Sequence, residues 1–357
     1  MATDSPIRVA ILGASGRQGK RRADAVTRVP GMSLAYLADI PQATAALQEL
    51  STRYQCPSTS DWEAAVSDKQ VDAVVVCTPN SKHVEMALKA LQQGKHVLVE
   101  KPLANSVAEC AELTREADRA QLVLRTGFNY PFRTPIQHGL ELFAQGAIGK
   151  LLGFRAIISH SQFMGQAGGN QWFCQPGLAG HGAWMDLGIH MVDLAHHVIS
   201  SVGDQFSTVS AQISEGRVIR PSSTEATLEE ECVALYRTRD GRLVSIQASW
   251  VEVRPFLGAR IELIGDNGRI DIDLGNRVTK IAQRHENRVV ESQQEFPYVD
   301  PDPSWATEMT LFRDLIQSPQ RRGEAGAVGL KVQRLAFAAY ESAHADGQSV
   351  SLAAAYE

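Results

Sequence analysis

At 357 residues the chain exceeds one ordinary hydrophobic core and suits two, because domains run to roughly 100–200 residues. Hydrophobic residues at 44% and charged residues at 21% exclude a disordered or collagen-like chain. The formal net charge of -5 supplies no general attraction for nucleic acid or anionic lipid, so neither partner is expected.

Near the N-terminus the only apolar run is Val9-Ala10-Ile11-Leu12, too short for a signal-peptide core or a membrane span, and the expectation is a cytoplasmic protein without a membrane partner. That run belongs to a stretch from Ile7 to Leu12 that reads as a strand covered on both faces. The turn Gly13-Ala14-Ser15-Gly16-Arg17-Gln18-Gly19 follows at once, and a helix is predicted from about Arg17 to Val29, where Pro30-Gly31 stops it. Met32 to Ala38 reads as a second buried strand, closing a βαβ unit at Asp39.

The pattern continues with a helix around Gln42 to Leu50, a strand at Ala73 to Cys77, a helix from Ser81 to Gln93 and a strand at His96 to Val99. Gly94 marks the end of that second helix. Ser106-Val107-Ala108-Glu109 is a capping box that opens another helix, and Gln121 to Thr126 supplies the next strand. Such alternation predicts an α/β Rossmann domain over residues 1–127, a doubly wound parallel sheet with its ligand site beyond the carboxyl ends of the strands. Five scattered cysteines, Cys56, Cys77, Cys110, Cys174 and Cys232, suggest neither a zinc cluster nor a disulfide framework, and read as small hydrophobes.

A turn without side chains lets backbone amides approach a phosphate and aims a helix N-terminus at it, and Gly13, Gly16 and Gly19 suit that task. The spacing is G-x-x-G-x-x-G, so Ser15 stands where the usual fingerprint has its second glycine, with Arg17 and Gln18 completing the turn. Asp39, twenty residues after Gly19, can accept hydrogen bonds from adenosine ribose hydroxyls. A carboxylate there repels a 2'-phosphate and favours NAD over NADP, although Arg17, Lys20, Arg21 and Arg22 offer compensating charge if they are more than a solvated helix face.

The segments Ala73-Val74-Val75-Val76-Cys77-Thr78-Pro79-Asn80 with His83, and Gly94-Lys95-His96-Val97-Leu98-Val99-Glu100-Lys101-Pro102, resemble the glucose-fructose oxidoreductase, inositol dehydrogenase and MocA (Gfo/Idh/MocA) family. The stretch from Ala179 to His190 resembles the second-domain motif of the same family, so the likeness covers nearly the whole chain. It implies that Thr78, Pro79, Asn80, His83, Glu100 and Lys101 lie beside the cofactor. It also implies that Lys101, Asp186 and His190 form the catalytic group, and that the chain is a homo-oligomer, dimer or tetramer. The chain departs from the family at His181, where glycine is common, and at Tyr130-Pro131-Phe132-Arg133, where an Arg-Phe pair is common.

Oxidising a secondary alcohol requires a base for the hydroxyl proton and a group that stabilises the oxygen as hydride leaves. His190 suits the base because an unperturbed imidazole titrates near working pH. Lys101 can donate to the substrate oxygen, or can itself be the base. Asp186 stands four residues before His190 on one face near the start of a helix, placed to orient either His190 or the substrate. Taken singly, Lys101 reads as a surface residue before proline, Asp186 as a helix cap and His190 as a core histidine. Asp186, His190, Asp193 and His197 also form a stripe at metal-ligand steps, but it spans roughly 16 Å of helix, too long for one ion, and no metal is expected.

After Leu151 the pattern changes to longer alternating strands, Leu151 to His160, Cys232 to Thr238, Leu243 to Trp250 and Ile261 to Ile264, which predict an α+β domain over residues 128–357 with a large, mostly antiparallel open sheet. Arg239-Asp240-Gly241-Arg242 and Gly265-Asp266-Asn267-Gly268 are hairpin signals. Ala327 to His344 has helical spacing and reads as a packing helix that can return to the first domain. Candidate substrate contacts are Asn129, Tyr130, Arg133, Gln171, Trp172 and His181, beside Lys101, Asp186 and His190. The reading is an NAD-linked dehydrogenase acting on a sugar, glycoside or cyclitol; the alternatives are a carbonyl or imine reductase and a non-catalytic dinucleotide-binding regulator.

Overall fold

The computed structural model describes residues 5–160, 172–216, 228–252 and 258–356. In chain order the first elements are β1 (Ile7–Leu12), α1 (Arg17–Arg28), β2 (Met32–Ala38), α2 (Thr44–Tyr54), β3 (Ser58–Thr59), α3 (Trp62–Ser67), β4 (Ala73–Val76), α4 (His83–Gln92), β5 (His96–Glu100), α5 (Val107–Ala120) and β6 (Leu124–Gly127). There follow α6 (Thr134–Ala144), β7 (Leu151–Ser159), α7 (Pro176–Ala179), α8 (Ile189–Ser201), β8 (Phe206–Glu215), β9 (Glu229–Thr238), β10 (Leu243–Ser249), β11 (Gly258–Gly265), β12 (Gly268–Asp273), β13 (Val278–His285) and β14 (Arg288–Glu295). The chain closes with α9 (Ser304–Gln317), α10 (Arg322–His344) and β15 (Val350–Ser351).

Two units divide the chain, one of residues 1–129 and 303–330, the other of 130–302 and 331–357. In the first, six parallel strands run in the order β3-β2-β1-β4-β5-β6, the doubly wound arrangement whose strand order reverses beside β1. The side chains of β1 and β4 at the centre of the sheet are buried on both faces because helices cover both, which is why these strands read as near-unbroken apolar runs. On one face Val9, Ile11, Leu37 and Val75 share a core with Val26 of α1 and Leu47 and Leu50 of α2, and Trp305, Met309 and Phe312 of α9, which lies against α1, complete it. The sequence pattern assigned α9 to the second domain; its apolar stripe instead completes the first unit's core. At α5 the expected N-cap forms, the Glu109 amide donating to Ser106 Oγ at 3.2 Å, and the Glu109 side chain returns to the Ser106 hydroxyl, which donates to Oε2 at 2.9 Å.

The second unit holds a nine-stranded sheet in the order β14-β13-β12-β11-β7-β10-β9-β8-β15. The two hairpin signals join β9 to β10 and β11 to β12 as antiparallel pairs. One neighbouring pair, β7 and β10, is parallel, with Ser159 opposite Ser249, so the ends of these two strands emerge side by side. The buried face of the sheet carries Phe154, Ala156, Ile246, Ala248 and Tyr236, and α8 packs against β7 and β10. On the opposite face Val233 and Leu235 are each 47% exposed and Leu243 is 54% exposed.

Candidate active site

In the first unit the glycine turn is as tight as its composition suggests. Gly13 takes φ +77°, and a Cβ placed on it would lie 2.7 Å from the Cys77 carbonyl oxygen; one on Gly19 would lie 2.2 Å from the Gly13 carbonyl oxygen. The turn therefore folds on itself with no room for a side chain at Gly13 or Gly19, and its N-cap Gly16 brings no side chain to the first amides of α1. Amides at a helix N-terminus suit an anion, so a glycine turn opening α1 fits the pyrophosphate of a dinucleotide. Arg17 is exposed at the start of α1, and Gln18 accepts a hydrogen bond from Arg21 at 3.2 Å.

Ser15 at the missing glycine position has a partner. Its amide and its hydroxyl both donate to Asp39 Oδ2, at 2.8 and 2.5 Å, while the Ile40 amide donates to Oδ1 at 2.8 Å. The acidic residue expected to read the ribose is thus fixed to the phosphate turn. One expectation is corrected here: Arg22 is no part of a solvated basic face but is fully buried, whereas Arg17 and Lys20 are exposed. Its guanidinium is bound between Glu100 and Glu308, at 2.6 Å from each.

Around the ends of β4 and β5, Thr78 and Pro79 are half-buried and Asn80 is buried. His83 is fully buried, with Nδ1 2.7 Å from the Pro102 carbonyl and Nε2 3.0 Å from the Thr78 carbonyl. Burial pushes its pKa down to about 4 against the pull of these two carbonyls. A neutral ring donates to one of them, and desolvation outweighs the gain from donating to both. His83 thereby holds the Thr78 loop and the Lys101–Pro102 segment together. Lys101 is half-buried, and its bond to Pro102 is cis. Glu100 is 6% exposed and turned onto Arg22.

In the second unit the helix expected to carry Asp186 and His190 begins as a π-helical turn, Trp184–Gly188, before regular α8 starts at Ile189. Wide turns of this kind recur at functional sites. Two features hold it. Glu229, buried at the start of β9, accepts from the Gly182 amide at 2.8 Å, the Trp184 amide at 3.1 Å and the Tyr340 hydroxyl at 2.5 Å. Burial raises its carboxyl above the ordinary value, against the Tyr340 and Gly182 bonds. The indole of Trp184 donates to the Ala336 carbonyl at 2.9 Å.

Asp186 Oδ2 accepts from Trp250 Nε1 at 2.9 Å and lies 3.5 Å from His160 Nε2. Both partners escaped the sequence reading, yet both terminate predicted strands, and the parallel pairing of β7 with β10 is what delivers them to one carboxylate. His190 is 7% exposed and stacks on Tyr130 with centroids 4.3 Å apart, while Arg133 lies over the other ring at 4.5 Å. Tyr130 is thus the floor beneath His190. His181 stacks on Tyr340 at 5.1 Å, and Trp172 on Phe173 at 3.9 Å. Asn129, the last residue of the first unit's leading segment, donates to Ser304 Oγ at 3.4 Å. Gln171 lies outside the described residues. Lys101 belongs to the first unit, and Asp186 and His190 to the second.

Among the described residues no group of three or more His, Cys, Asp or Glu is arranged to hold a metal ion, and no helix is long and apolar enough to cross a membrane. Cys56, Cys110 and Cys232 are buried, and Cys77 and Cys174 half-buried, all as free thiols.

Residues 7–128 match the family described as an oxidoreductase family with an NAD-binding Rossmann fold, and residues 136–271 match the Gfo/Idh/MocA C-terminal domain. The levoglucosan dehydrogenase of Pseudarthrobacter phenanthrenivorans is 31% identical over 46% of this chain and 41% of its own length. The myo-inositol 2-dehydrogenase of Thermotoga maritima is 25% identical over 94% of this chain and 96% of its own. A solved levoglucosan dehydrogenase in complex with NADH and L-sorbose shares the fold, with TM-score 0.83 at 22% identity over 98% of this chain and 99% of that one. With both units matched to their counterparts in order, the chain belongs to the Gfo/Idh/MocA family of NAD-binding oxidoreductases.

Proposed function

We propose that the chain is a dehydrogenase that transfers hydride between NAD and a secondary alcohol of a sugar, glycoside or cyclitol. The observation that carries the reading is the buried His190, seated on Tyr130 four residues after an Asp186 that Trp250 holds, in a chain whose other unit is an NAD-binding Rossmann domain. NAD, when bound, accepts the hydride. His190 takes the hydroxyl proton, Lys101 donates to the substrate oxygen as negative charge develops there, and Asp186 orients the reacting group. Its bond from Trp250 fixes the carboxylate so that little reorganisation is needed during reaction. Relatives named for levoglucosan and for myo-inositol support a ring bearing several hydroxyl groups as the substrate class. The half-exposed apolar residues Val233, Leu235 and Leu243 on the open face of the nine-stranded sheet support a contact between copies of the chain.

The test is NADH formation by purified protein with a panel of sugars, glycosides and cyclitols, repeated with Lys101→Met. Removing a donor to a developing oxyanion costs on the order of 100-fold or more in kcat. Such a fall with NAD binding retained is expected; undiminished turnover by the variant sinks the assignment. The same preparation, run with NADH and the corresponding ketones, reads the reverse direction.

A further inference from the structure

We infer that Arg22 is a positioning residue for Lys101, acting with Glu308 through Glu100; the inference rests on the role proposed for Lys101. Arg22 lies three residues beyond Gly19, on the helix whose N-terminus forms the phosphate turn. Its Nε donates to Glu100 Oε1 at 2.7 Å, its Nη2 is 2.6 Å from the same oxygen, and its Nη1 donates to Glu308 Oε2 at 2.6 Å. Arg22 and Glu308 are fully buried. Trp305 of α9 covers the guanidinium at 4.6 Å, and Gly127 at the end of β6 backs it so closely that a Cβ there would lie 2.6 Å from Nη2. Glu100 is also paired with Gly127 in the sheet. The residue immediately before Lys101 is therefore fixed by α1, α9, β5 and β6 at once.

Stability alone does not account for this cluster. Glu308 Oε1 also accepts from Arg125 Nη2 at 3.4 Å, and buried carboxylates and guanidinia are often no better than an apolar filling of the same volume. What the cluster supplies is direction, because the planar guanidinium fork holds both carboxylates in one geometry. Burial opposes the charge on Arg22, but Glu100 and Glu308 outweigh it and hold its pKa above the ordinary value. The Glu100 carboxyl is raised, by burial first and by the neighbouring Glu308, against the pull of Arg22. One guanidinium thus sets the strand end that presents Lys101 and ties it to the helix that receives the phosphates.

Three full-length variants test this. Arg22→Lys keeps a charge but loses the fork, Glu308→Gln keeps the shape but loses a charge, and Gly127→Ala removes neither and only displaces the pair. Each is assayed for unfolding temperature, NAD affinity, kcat and KM, and for the reactivity of Lys101 towards acetic anhydride relative to exposed Lys20, read by mass spectrometry. Expected are a fall in kcat of about 10-fold or more with KM and NAD affinity within about threefold, and a change of at least about threefold in relative Lys101 labelling. Glu308→Asp, which can still reach the guanidinium, is expected to recover part of both. Unchanged Lys101 labelling in the folded variants overturns the inference, as does a lowered unfolding temperature with kcat intact. The labelling needs no turnover, so it stands apart from the dehydrogenase assay. A wild-type protein inactive on every polyol defeats the proposed function, while altered labelling still reports the coupling.

Discussion

His96 opens β5, and its Nδ1 accepts the Val123 amide at 3.0 Å. That bond needs a neutral ring, and burial, assisted by the positive Arg322, pushes its pKa down to about 4. The unfolded chain binds a proton near pH 6.5 that the folded chain refuses until about pH 4. Stability is therefore full above pH 6.5 and is lost as pH falls from about 6.5 towards 4, by up to about 1.4 kcal/mol per pH unit from this residue. Urea unfolding at several pH values is expected to show that slope, shallower by about one proton in His96→Gln; an identical slope in the variant assigns the loss elsewhere. The residues named by motif are those a local pattern can mark, such as Gly13, Asp39, Lys101 and His190. Arg22 was illegible because Lys20-Arg21-Arg22 has the look of a solvated run, and its partner Glu308 is 286 positions away along the chain.

The π-helical turn before α8 shows the same limit for an element. Spacing of four between Asp186 and His190 is compatible with an ordinary helix, and nothing local distinguishes the wider turn. Tertiary bonds hold it: the Gly182 and Trp184 amides donate to Glu229, and the Trp184 indole donates to the Ala336 carbonyl. Gly188 closes the turn against the Trp184 ring, where an added Cβ would lie 2.3 Å from a ring carbon, and Trp184 is fully buried. Gly188→Ala is expected to cost roughly 1–3 kcal/mol by overpacking. Because His190 follows two residues later, it should also lower kcat; unfolding curves and turnover matching wild type would show that the turn has slack. By contrast β1, α1 and β2 were legible almost to the residue, since strands buried on both faces, a glycine turn and Pro30-Gly31 are all local signals. The parallel pairing of β7 with β10 was not, because alternation fixes which face a residue occupies and says nothing of a neighbour's direction.

For the whole molecule, the two fold classes were legible from the change of periodicity near Leu151, but the division of the chain was not. The segment 303–330 returns to the first unit, and the boundary between Leu330 and Lys331 falls within α10. Trp305, Met309, Phe312 and Leu315 are buried in the first core, and at about 1.5–3 kcal/mol for each side chain they contribute roughly 6–12 kcal/mol. That is comparable with the whole stability of an ordinary domain, about 5–15 kcal/mol. Residues 1–129 expressed alone are expected to aggregate or bind a hydrophobic dye. The same segment joined to 303–330 by a short Gly/Ser linker is expected to unfold cooperatively, since the Asn129 side chain already bonds Ser304. A cooperative transition in the shorter fragment would show that α9 is dispensable.

On the ribosome, the strands that will hold the cofactor emerge first and must wait for α9 while residues 130–302 are made. At about 5–20 residues per second that delay is on the order of ten to thirty seconds, during which the part of the first core that Trp305, Met309 and Phe312 fill stays open beside α1. The second unit waits in turn for Tyr340, the last of the donors to Glu229. Neither half can be finished in order of synthesis, so this chain should depend on chaperone protection until its final helix has been released.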